Sequence, residues 1–116
     1  MKQSLFSTVL CVIAGLGVAR AADQTFTGEI MDSPCAQMGS HENMMKAEGA
    51  RNPKECTIAC VKSGGKYALY DPAAKRAYQL DNQKKAGDYA GQKVTITGTF
   101  DSTSDSIHVT NIQLAR

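Results

Sequence analysis

The chain contains no tryptophan, and its 13 Lys and Arg against 11 Asp and Glu leave no strong excess of either charge. Nucleic acids and anionic membrane surfaces demand such an excess of cations, so the composition offers no electrostatic reason for either as a partner. Catalytic signatures are missing too. The sequence holds no thioredoxin-type C-x-x-C, no C-x-x-C-H haem attachment site, no H-E-x-x-H, no P-loop and no G-x-S-x-G, which removes the usual redox, haem, metalloprotease, nucleotide and hydrolase readings. Glu29 and Asp32 have no evident partner carboxylate for acid–base work, and an enzyme is not expected. No internal repeat or low-complexity run appears. At 116 residues, 42% hydrophobic and 21% charged, the chain is too short for several domains and too balanced for a disordered tail or an apolar membrane bundle.

The one long apolar run is at the start. Met1 and Lys2 precede Leu5 to Val18, a stretch too short for a stable membrane anchor, and Ala19-Arg20-Ala21 places small residues where a signal peptidase reads. A secretory signal over residues 1–21 is therefore expected, with a periplasmic or secreted product and no membrane span in the mature chain. Cutting after Ala21 leaves 95 residues with 11 basic and 11 acidic side chains. Cys11 follows Leu10 inside the apolar run, where a lipidation site would want a small residue. Cys35, Cys56 and Cys60 remain, an odd number for an oxidising compartment.

What is present reads as mainly β structure. Residues 24–32, 66–71, 76–81, 93–100 and 107–114 alternate apolar and polar positions or are rich in β-prone residues. Asp71-Pro72 marks a hairpin turn between the second and third of these segments. In the last strand the apolar parity changes between Val109 and Ile112, which predicts a bulge near Thr110 or Asn111. Between the third and fourth strands, residues 82–91 end in Tyr89-Ala90-Gly91 and suggest a short helical turn closed by glycine. Strand, strand, strand, short helix, strand, strand is the order of an OB-like five-stranded barrel, with Gly28 and Gly98 where such a barrel bends or brings strands close. A core of this size benefits from a covalent or metal staple.

Residues 33–65 form an insertion between the first two strands. Its second half specifies a helix: Asn52 as N-cap, Pro53 at the first position, Glu55 at N3, and a stop at Gly64-Gly65. Its first half, residues 34–51, reads as a loop with one helical turn. Cys56 and Cys60 share a face of the helix about 6 Å apart, too far for an easy disulfide, which wants Cβ atoms about 3.8 Å apart. They can instead meet a third group.

One such group is a metal ion. Cys35 and His41 from the preceding loop complete a Cys3His set with Cys56 and Cys60, a donor set that suits zinc, or copper(I) with Met38, Met44 or Met45 nearby. The other is a disulfide from Cys35 to one helix cysteine, which would stabilise the fold by about 3 kcal/mol. The structural alternative is that the thiols simply pack, as buried free cysteines commonly do. Tyr67, Tyr70 and Tyr78 on adjacent strands could form a stacking face for a glycan, a peptide or an envelope protein, or cover a small core. Met31 reads as strand surface, and His108 as a solvated strand histidine.

Gly28-Glu-Ile-Met-Asp-Ser-Pro-Cys35, His41, the run from Glu55 to Tyr70 and Tyr89-Ala-Gly-Gln-Lys-Val-Thr-Ile-Thr-Gly98 together resemble a family of small secreted bacterial proteins of uncharacterised function. Its pattern is D-S-x-C, a following histidine, a C-x3-C helix leading to G-x-K-Y, and Y-A-G-x-K-V-x-V-x-G. The resemblance covers most of the mature chain. It implies an OB-like barrel with a Cys/His cluster and no stated activity.

Overall fold

The computed structural model describes residues 22–42, 45 and 52–116. The expected signal segment, Cys11 and Met44 lie outside these residues. Strands make up 43% of what is described, in the order β1 (Gln24–Asp32), α1 (Ser33–Met38), α2 (Pro53–Lys62), β2 (Tyr67–Asp71), β3 (Arg76–Leu80), α3 (Gln83–Gly87), β4 (Lys93–Asp101) and β5 (Ser106–Leu114). Each strand begins and ends within two residues of its sequence-based expectation. α1 is better formed than the single helical turn expected over residues 34–51. Asp32 caps a six-residue α1, and Asn52 and Pro53 open α2 as expected. In α3 the helical part precedes Tyr89, because the Asn82 side chain accepts from the Lys85 N–H and starts the helix there.

The five strands close into a ring in the order β1-β2-β3-β5-β4. β1 serves two neighbours: Gln24 to Glu29 pair with β4, and Glu29 to Asp32 pair with β2, both antiparallel. At the change of partner, a Cβ on Gly28 would overlap the backbone carbonyl of Tyr70, so a side chain there would push β1 off β2. Gly98 occupies the matching position on β4, against the carbonyl of His108 and beside the register shift that leaves Thr110 unpaired. This is the bulge that the parity change in β5 predicted.

The ring closes through a short parallel seam, with Gln79 facing Ser106 and Leu80 facing Ile107. Asp81 extends the seam by side chain: its Oδ1 accepts from the Val109 N–H at 2.8 Å, and its Oδ2 faces Nδ1 of the exposed His108. Burial works against the ionised Asp81 carboxylate, but the Val109 N–H and the His108 ring outweigh it and hold the group below its ordinary value.

Period-2 geometry sorts neighbouring residues into two cores. Ile30, Leu69 and Tyr78 point into the ring and pack with Leu80, Val94, Ile96, Ile107, Val109 and Ile112. Their chain neighbours Met31, Ala68 and Ala77 point outward, where they meet Cys35, Ala36, Cys56 and Cys60 from α1 and α2. Met31, expected on the strand surface, is therefore buried at 4% exposure. Alternation alone cannot reveal that helices cover the outer face of β1, β2 and β3.

Candidate metal centre

The site lies where β1 ends and α1 begins. Asp32 closes the strand in extended conformation and caps the helix, its Oδ2 accepting from the Cys35 N–H at 3.1 Å. That bond fixes Asp32 and Cys35 relative to each other and leaves Oδ1 free to face elsewhere. Pro34 in the first turn supports the cap, because its missing N–H costs nothing there. Gly39 ends α1 in the left-handed region, at φ 73°, a conformation that favours glycine. The chain then turns back, with Ser40 N–H donating to the Cys35 carbonyl at 3.2 Å, and His41 is buried at 7% exposure. Cys56 arrives from the first turns of α2, whose start is held by the Glu55 N–H donating to the Asn52 side chain at 2.9 Å.

Asp32, Cys35, His41 and Cys56 each offer one donor atom, and these four atoms lie within 4.8 Å of one another. Asp32, Cys35 and Cys56 are fully buried. Three polar atoms in this group have no hydrogen-bond partner: Asp32 Oδ1 and both ring nitrogens of His41. His41 Nδ1 is 4.0 Å from Asp32 Oδ1, and Nε2 is 3.4 Å from Glu29 Oε2, an ion-pair distance without hydrogen-bond geometry. Among the described residues, Cys35, Cys56 and Cys60 are free thiols. Burial first, then Asp32 and Cys56, push the Cys35 thiol far up. Burial, with smaller contributions from Asp32 and Cys56, pushes Cys60 up to about 12. Without a cation both thiols are protonated at neutral pH.

Comparison with known proteins finds no matching family, no similar curated protein and no similar solved structure.

Of the expected ligands, Cys35, His41 and Cys56 come together, and Asp32 is the fourth member of the group. Cys60 is buried beside Cys56, close enough for Cys56 and Asp32 to act on its thiol, but it is not among the four donors. Met38 is exposed and Met45 packs against the outer core. Asp32 carried a legible signal: an acidic residue directly before Ser-Pro-x, with cysteine at the third position after it, is a helix N-cap that sets a carboxylate beside a thiol. The three tyrosines do not share a face. Tyr78 is buried inside the ring in edge contacts with Phe26 and Phe100, and Tyr67 packs against the same interior. Tyr70, an odd number of residues from Tyr67, packs on the outer core. A stacking platform needs rings on one side, and period-2 geometry divides these.

Proposed function

We propose that this chain is a small secreted or periplasmic domain of OB-like fold that binds a transition metal, without catalysing a reaction, through Asp32, Cys35, His41 and Cys56. The observation that carries the reading is the set of orphaned buried atoms. Asp32 Oδ1 and the two His41 nitrogens lie without partners against two thiols, and each unsatisfied buried group costs about 1–3 kcal/mol. A cation at that point would satisfy Oδ1 and one imidazole nitrogen together, and it would take the sulfurs of Cys35 and Cys56 as thiolate ligands.

The donor chemistry favours zinc. Two sulfurs, an imidazole nitrogen and a carboxylate oxygen suit a borderline ion in tetrahedral coordination. Copper(I) prefers thiolates and thioethers, yet the set includes a hard oxygen, and Met38 is exposed. Four protein donors with almost no access to solvent leave no position for substrate, which supports a structural or storage role over catalysis. The strand order β1-β2-β3-β5-β4 with α3 between β3 and β4 supports the OB-like reading.

The test is metal content and thiol state of protein exported to a bacterial periplasm. About one zinc per chain is expected, lost in Cys56→Ser and Asp32→Ala. Replacement by cobalt(II) should give the intense visible bands of a tetrahedral thiolate site. A mass two daltons low, with no metal and one reactive thiol, would overturn the reading in favour of a disulfide from Cys35 that staples a binding module.

A further inference from the structure

His41 lies between two carboxylates of the same strand. Asp32 Oδ1 is 4.0 Å from Nδ1, and Glu29 Oε2 is 3.4 Å from Nε2. Their environments differ. Asp32 is fully buried, is anchored through Oδ2 by the Cys35 N–H, and belongs to the group of donors around the two thiols. Glu29 lies outside that group, and its side chain keeps 22% exposure at the edge of an open cavity of about 560 Å³ that Met31, Gly39 and Tyr70 also line. Glu29 thus keeps a contact with water, whereas Asp32 Oδ1 is buried without a hydrogen-bond partner.

We infer that Glu29 is a positioning residue that makes His41 a metal ligand through Nδ1, by accepting a hydrogen bond from Nε2–H. This rests on the metal-binding reading above. The physical reason is that a neutral imidazole has one nitrogen for a proton and one lone pair for a metal, so the partner of one nitrogen decides the role of the other. Nδ1 and Asp32 Oδ1 face each other, are both buried and are both unpartnered. The carboxylate at Nε2 is the solvated one, and it can take the proton's hydrogen bond without being drawn into the donor group. Glu29 also sits where β1 changes partner, opposite Tyr70 on one side and Lys93 on the other. The strand pairing on both sides therefore holds its backbone in place.

The decisive measurement uses the full exported chain with 15N-labelled histidine, loaded with zinc, and long-range 1H–15N correlation of the His41 ring. The expected result is Nδ1 at a metal-bound shift with the proton on Nε2. Zinc competition with a chromophoric chelator should show Glu29→Ala weakened about 10–100-fold. Glu29→Gln, whose amide carbonyl can still accept from Nε2–H, should recover much of that loss. In Glu29→Ala the Nε2 proton should also exchange faster with water, an effect that a merely structural residue would not produce. A spectrum of the unmodified chain with Nε2 metal-bound overturns this inference alone, and so does a Glu29→Ala variant that binds zinc as tightly as the parent. Failure of the unmodified chain to bind zinc or cobalt overturns the metal reading with it.

Discussion

The two cores on either side of β1, β2 and β3 are built from different materials. The interior of the ring is aliphatic and aromatic, with Ile30, Leu69, Val94, Ile96 and Ile107 fully buried. The outer core, under α1 and α2, is made of sulfur and small side chains, and Asp32, His41 and Thr57 are buried beside it. Burying a large aliphatic side chain contributes about 1.5–3 kcal/mol, so the interior holds itself together. The outer core buries little hydrocarbon and contains three polar atoms without partners. On the metal reading proposed above, a cation joining these donors would satisfy those atoms and add to the order that the helix caps already give this region.

The sharpest way to separate the two regions is to damage each in turn. Leu69→Ala should cost about 2–5 kcal/mol in urea unfolding, by the same amount whether zinc or a chelator is present, because Leu69 lies inside the ring. Metal removal should do the reverse. Zinc at a hundredfold excess over its dissociation constant should stabilise the fold by about 2.7 kcal/mol, and a chelator should abolish the gain. Hydrogen exchange should then show protection lost in α1 and α2 while β4 and β5 keep theirs. Equal loss in both regions would break the distinction. The zinc gain should shrink as pH falls, since protons compete for the thiolates.

Asn52→Ala removes the cap of the helix that carries Cys56 and should cost about 1 kcal/mol, with zinc affinity falling alongside stability. The smallest expected effect is at the ring seam. Asp81→Ala breaks the contacts with the Val109 N–H and His108 and should cost about 0.5–1 kcal/mol at neutral pH, the pair being partly screened by water. The Asp81 carboxyl in the folded chain lies below its ordinary value of 3.8. Its contribution is therefore present in full above that value and lost as pH falls through the lower folded one, so parent and variant should converge in acid. Unfolding curves collected from neutral pH down to about pH 2 would show whether they do.

Much of the fold was legible because its signals are local. The Val94/Ile96 alternation, the Asn52-Pro53 helix start and the parity change around Thr110 each act within a few residues, and each is found where expected. The candidate site was legible in part. Cys35, His41 and Cys56 stood out by residue type; the N-cap position of Asp32 beside Cys35 was legible too, while its nearness to Cys56, about two dozen residues further along, was not. The tyrosine face failed for a related reason: Tyr67 and Tyr70 are close in sequence but lie on opposite sides of their strand.

The sequence alone determined which segments are strands, where α2 begins and ends, and which residue types could bind a soft cation, since backbone propensity, capping and donor chemistry belong to the residues themselves. Only the tertiary structure decided that α1 and α2 cover the outer face of the sheet, that Met31 is buried, and that Asp32 rather than Cys60 completes the donor group. These depend on distances between elements far apart in the chain. Such distances follow from how the ring closes and from which face each helix is left to cover.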